Sequence, residues 1–202
     1  FIESGLLSLS EYAGKESVRF AFRYKSSSTA GATWEVNNVL VESVVDDAPK
    51  TVFEEDFANF TAGTQDSPAS ADLAATLDTY TKVAGWTGSK VYSAGGAIKL
   101  GAKTSSLGYI VTPSINLSGN NGEFSVSFDS RAWSGDSTAI KIYVNDVLIK
   151  RVDGLSNAVS PYTLTSFGPF KFTGGTATTK IKFEGLQASY ARFFIDNIKI
   201  TQ

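Results

Sequence analysis

FSVSFDSRAW, residues 124–133, alternates along its length: Phe124, Val126 and Phe128 fall on one side, and Ser125, Ser127, Asp129, Arg131 and Trp133 on the other. A period of two is the pattern of a half-buried antiparallel strand, with one face on a core and one in water. Similar alternation recurs at 18–24 (VRFAFRY), 97–100 (AIKL), 139–144 (AIKIYV) and 179–184 (TKIKFE). Asn145-Asp146 and Gly174-Gly175 have the composition of hairpin turns. Only 70–80 (SADLAATLDTY) offers a helical turn or two. The predicted fold class is all-β, an antiparallel sandwich.

Composition agrees with this and narrows the chemistry. Of 202 residues, 42% are hydrophobic and 19% charged, enough apolar material for a sizeable core. A net charge of −2 and a pI near 5.2, with no basic stripe, speak against nucleic acid as a partner. No apolar run approaches the roughly 18 residues of a spanning helix, so direct membrane insertion is not expected. With neither Cys nor His, disulfides, thiolate nucleophiles, Ser-His-Asp triads and His-metal chemistry are excluded. Glycosidase-type acid and base pairs drawn from Glu54, Glu55, Asp129 or Asp136 are the one catalytic alternative, and the sequence places no two at the required separation. The expectation is a protein that is not an enzyme.

A weak internal repeat organises the chain. Residues 17–24 (SVRFAFRY) and 33–41 (TWEVNNVLV) parallel 180–185 (KIKFEG) and 192–200 (RFFIDNIKI). Val18 and Phe20 align with Ile181 and Phe183, Trp34 with Phe193, Asn37 with Asp196, and Val39 and Val41 with Ile198 and Ile200. Residues 1–45 are therefore expected to be the closing strands of one module, 46–51 a linker containing Pro49, and 52–202 a complete second module.

The segments LSEYAGKESVRFAFRY (9–24), WEVNNVLV (34–41), FEEDF (53–57), GYIVTPSINLSG (108–119), FSVSFDSRAW and FFIDNIKI resemble the cleaved-adhesin and choice-of-anchor-J domains of Bacteroidota surface proteins. The resemblance implies jelly-roll sandwiches, tandem organisation and a secreted or cell-surface setting, outer-membrane-associated in a Gram-negative bacterium. It also implies a structural calcium ion and ligands that are glycans, host proteins or neighbouring modules, on a chain that is a subunit or fragment of a larger surface protein.

In TVFEEDF, Phe53, Glu55 and Phe57 share a face, and in FFIDNIKI parity sets Asp196 with Phe194, Ile198 and Ile200. A carboxylate on an apolar face needs a cation or several donors. Glu55, Asp56 and Asp196 are thus candidate ligands of a structural Ca2+, which takes six to eight oxygens. The alternative is that Asp196 caps a turn or accepts from backbone amides, and that Glu55 pairs with Arg192 or a lysine.

For ligand binding, the outward residues Asp129, Arg131 and Trp133, with Tyr143 on another strand, offer aromatic and charged groups of the kind that recognise sugars if the two strands are neighbours. Trp86 and Tyr92 in GWTGSKVY (85–92) form a second candidate cluster; both tryptophans could instead close the core at a sandwich edge. GGTAT (174–178) lacks the helix start of a phosphate loop. DST (136–138) matches a short O-glycosylation pattern at Ser137. The expected function is a non-catalytic extracellular binding module, carbohydrate-binding or adhesin-like, with a glycan or surface protein as partner. The competing reading is a structural spacer or protein-docking domain of a surface assembly.

Overall fold

The computed structural model describes residues 2–12, 15, 17–29, 31, 33–42, 48–104 and 106–202. They separate into two compact units, residues 1–46 and 47–202.

The larger unit is a sandwich of two antiparallel sheets. Its strands are β1 (Thr51–Glu55), β2 (Thr87–Ser89), β3 (Val91–Ser93), β4 (Ile98–Leu100), β5 (Tyr109–Val111), β6 (Phe124–Ala132), β7 (Ala139–Val144), β8 (Val147–Asp153), β9 (Thr165–Phe172), β10 (Ile181–Gly185) and β11 (Phe193–Thr201). One sheet runs β3-β4-β11-β6-β9, and the other β2-β5-β10-β7-β8. Along the side of β11 not taken by β6, β4 pairs with Phe193–Ile195 and β1 with Ile198–Thr201. β11 is therefore hydrogen-bonded along both edges.

Alternation along each strand turns its apolar set inward. Val126 and Phe128 of β6, with Ile195 and Ile200 of β11, meet Ile140, Ile142, Ile181 and Phe183 of the opposite sheet. Phe128 and Phe183 touch edge to face across the core, centroids 5.1 Å apart. Deleting either ring opens a cavity costing about 3–5 kcal/mol.

The two expected turns diverge. Asn145 and Asp146 join β7 to β8 with both φ positive, 48° and 64°, as a primed hairpin turn requires. Gly174-Gly175 is not a hairpin turn, because β9 and β10 belong to different sheets. It carries the crossover between them, and Gly175 N–H donates to Gly122 O at 2.9 Å. In 70–80 the helical expectation reduces to one 3-10 turn, Leu77–Thr79.

Parity fails at one place that matters. The pairing of β11 with β6 slips between Asp196 and Lys199, and Asn197 adopts φ 48°. Phe193 and Ile195 face the core before this bulge, Ile198 and Ile200 after it. Asp196 consequently lies on the outer face with Phe194, not on the apolar face with Ile198 and Ile200 as uninterrupted alternation predicts.

In the smaller unit, VRFAFRY forms no strand, nor does any other segment among the described residues. Its described side chains are all exposed. The ring of Tyr24 stacks on Trp34 at 6.0 Å, and Phe22 lies 6.3 Å from the same ring. Asn38 has φ 52°, and its N–H donates to Asn37 Oδ1 at 2.8 Å. Asn197 repeats this turn, its N–H donating to Asp196 Oδ1 at 2.7 Å.

Candidate ligand-binding site

On the outer face of the β3-β4-β11-β6-β9 sheet, register places Tyr92, Lys99, Phe194 and Arg131 in one row across four strands. Each is flanked along its strand by buried, inward residues (Val91 and Ser93, Ile98 and Leu100, Phe193 and Ile195, Ser130 and Ala132), so alternation forces these four outward. Just beyond the end of β6, Trp133 N–H donates to Arg192 O at 2.9 Å, which extends the sheet by one rung. Trp133 thereby stacks on Phe194, centroids 5.9 Å apart and 16° from parallel.

Cations and rings alternate through this cluster. The Lys99 ammonium lies 3.7 Å from the Tyr92 ring centroid and 5.9 Å from that of Trp133. The Arg192 guanidinium lies 4.7 Å over Trp133, and that of Arg131 4.2 Å over Tyr162. Such contacts strengthen as water is withdrawn. Burial, with Arg192 nearby, lowers Lys99 to a pKa of about 8. Tyr92, Lys99, Trp133, Tyr162 and Arg192 are each part-exposed, so a ligand can reach them.

Two members of the cluster are held structurally. Asp136 accepts from Arg192 Nε at 2.7 Å and Nη2 at 2.9 Å, and from its backbone N–H at 3.0 Å. Arg131 has no exposed surface and donates to the carbonyls of Ala132, Ala158 and Pro161. The sequence expectation of Arg131 as a ligand contact is thus corrected: loop 158–162 covers the guanidinium, and Arg131 positions Tyr162 instead.

The remaining candidates scatter. Trp86 is only 4% exposed and packs in the core against Phe53 and Phe57, so it is not a surface platform. Tyr143 lies on the outer face of the other sheet, away from Trp133. There its hydroxyl donates to Glu184 at 2.8 Å, and burial together with that carboxylate pushes its pKa up to about 12. Lys182 sits 4.0 Å over the Tyr143 ring and pairs with Glu184 at 3.0 Å. Asp129 stays on the Trp133 face but four residues back along β6, where it accepts from Ser166 Oγ and Asn197 Nδ2.

Glu55 is buried, and its two oxygens accept from the backbone N–H groups of Phe57 at 3.0 Å and Lys82 at 2.7 Å. Asp56 pairs with Lys82 Nζ at 2.7 Å. Asp196 stands directly across from Asp129. Burial first, then the charges of Asp129, Asp56 and Glu55, raises Asp196 to a pKa of about 7. Among the described residues no three carboxylates close on a single point. As placed, these side chains do not enclose a calcium ion: amides hold Glu55 and Lys82 holds Asp56.

Lys99, Arg192, Phe194 and Tyr162 are absent from the sequence candidates. Alternation around Ile98 and Leu100 marks Lys99 as outward, but only the β4-β11-β6 order brings it to Trp133.

No family model and no curated protein matches the chain. Among solved structures it is similar to a CBM35 from Paenibacillus barcinonensis (18% identity, TM-score 0.40, covering 59% of this chain and 94% of that one). It is similar to the C-terminal CBM6 of LamC, a laminarinase from Zobellia galactanivorans (14%, TM-score 0.43, 60% and 94%). A third is the CBM22-1 xylan-binding domain of Paenibacillus barcinonensis Xyn10C (12%, TM-score 0.43, 78% and 97%). Identities and TM-scores this low transfer no ligand and no residue role.

Proposed function

We propose that the chain is a non-catalytic carbohydrate-binding module whose ligand lies on the outer face of the β3-β4-β11-β6-β9 sheet. One observation carries this: Tyr92 and Trp133, both part-exposed, flank the Lys99 ammonium above the buried ring of Phe194. Aromatic walls suit the C–H faces of a sugar, and the cation gives its oxygens a fixed donor. Affinity electrophoresis against a glycan panel tests it. Trp133→Ala and Tyr92→Ala are expected to abolish retardation while Trp86→Phe leaves it intact. Unretarded wild-type protein on every glycan sinks the reading.

The setting proposed is extracellular, on a larger surface protein of the cleaved-adhesin or choice-of-anchor-J kind, with residues 1–45 as the closing segment of a neighbouring module, whose strands form only against the rest of that module. The repeated Asn37-Asn38 and Asp196-Asn197 turn geometry supports that organisation. It also supports the second reading, a spacer or protein-docking domain, which predicts a stable protein complex and no glycan retention. No helix among the described residues is long and apolar enough to cross a membrane.

Calcium is proposed at Glu55, Asp56 and Asp196 on the strength of the negative charge gathered around Asp196. Holding it requires Lys82 to release Asp56. Added calcium is then expected to raise the melting temperature and EDTA to lower it. An unchanged melt leaves the cluster to the amides and Lys82.

A further inference from the structure

Most lysines near carboxylates in the sandwich are neutralised. Lys82 pairs with Asp56 at 2.7 Å, Lys90 with Asp72 at 3.3 Å, and Lys182 with Glu184 at 3.0 Å. Lys182 is the useful control, since it too lies over a tyrosine ring, but its charge is cancelled in place. Lys99 has the ring contacts and, among the described residues, neither an ion pair nor a hydrogen bond. Around it stand Arg192 and Asp136, which satisfy each other, Asp72, which pairs with Lys90, and the phenol of Tyr92. Arg131, on the other side of Phe194, is bonded only to neutral carbonyls, and arginine keeps its charge at any working pH. The cluster therefore carries two positive charges with no carboxylate paired to them, Asp72 and Asp136 acting on Lys99 only from a distance, and one of the two is at the reachable centre.

A half-buried ammonium without a counter-ion is held at a desolvation penalty that aromatic faces offset only in part. An anionic group placed between Tyr92 and Trp133 supplies the missing counter-charge together with a hydrogen bond, whereas a neutral hydroxyl accepts the bond and leaves the charge unmatched.

We infer that the ligand is an acidic saccharide, whose carboxylate or sulfate is taken by Lys99 between Tyr92 and Trp133. This rests on the carbohydrate-binding reading and deepens it to a ligand class. The low pKa of Lys99 adds a signature: the anion needs the protonated amine, so affinity holds below about pH 8 and falls above it.

The test is titration of the full chain with polygalacturonate, a sulfated galactan and a neutral xylan, at low salt and at pH 6.5 and 9.5. Expected are preference for a charged polymer, weaker binding at pH 9.5, and at least about tenfold loss on Lys99→Met with retention on Lys99→Arg. The carboxylate and sulfate polymers tell which anion is read. The pH series on wild-type protein stands even if Lys99→Met misfolds. Equal affinity for neutral xylan, or full affinity in a folded Lys99→Met, overturns the anionic assignment while the carbohydrate reading survives. No retention of any polymer overturns both.

Discussion

Asp136 and Arg192 form a two-point ion pair whose carboxylate side chain is 1% exposed. Removing one partner leaves the other charge buried and unmatched, so Asp136→Asn is expected to cost about 3–5 kcal/mol in urea unfolding. Asp196 works in the opposite sense. Its pKa of about 7 lies above the ordinary 3.8, so the folded state holds a proton that the unfolded chain has lost between those values. Stability from this group is fully present below about pH 4 and falls as pH rises through about 7. Asp196→Asn, which imitates the protonated acid, is expected to raise the melting temperature at pH 8 and to leave it unchanged at pH 4. Neither role could be read in the sequence. Alternation set Asp196 among the inward residues, and only the left-handed φ at Asn197 reveals the reversal. Trp86 stood open between surface platform and core closure, because an isolated tryptophan between glycines looks the same in either place, and the core reading is the one the fold realises. Trp133 was legible, because nine alternating residues precede it.

The bulge in β11 depends on one backbone angle. A β-branched residue at φ 48° is badly strained, so Asn197→Val is expected to destabilise the sandwich by about 1–2 kcal/mol or more, and Asn197→Gly by less. Chemical denaturation of the two variants side by side reads the difference. β6, β7, β10 and β11 were visible as alternation because each turns several apolar residues to the core, whereas β8 and β9, longer than β10 but mostly exposed, present no such face. β2, β3, β4 and β5 span three residues each, too few for any period to show strongly, though Ile98 and Leu100 betrayed β4. VRFAFRY alternates as well as any of them and forms no strand. Alternation reports a face in want of cover, and it does not supply the neighbouring strand.

At the scale of the molecule, every residue of the main core lies between Phe53 and Ile200. A chain of residues 48–202 is therefore expected to melt cooperatively within a few degrees of the full chain, and a broad transition or none would contradict that self-sufficiency. What could not be foreseen was the allotment of strands to sheets, since Gly174-Gly175 passes for a hairpin until β9 and β10 are found in different layers. The double pairing of β11 has a consequence for timing. During synthesis β1, β4 and β6 wait with open edges for a partner that the ribosome makes at the far end of this sequence. Closure then joins positions about 150 residues apart, the topology of a slow folder whose half-made form is prone to stick to others. Any extension that hinders residues 193–201 from docking should lower soluble yield far more than one placed before residue 48.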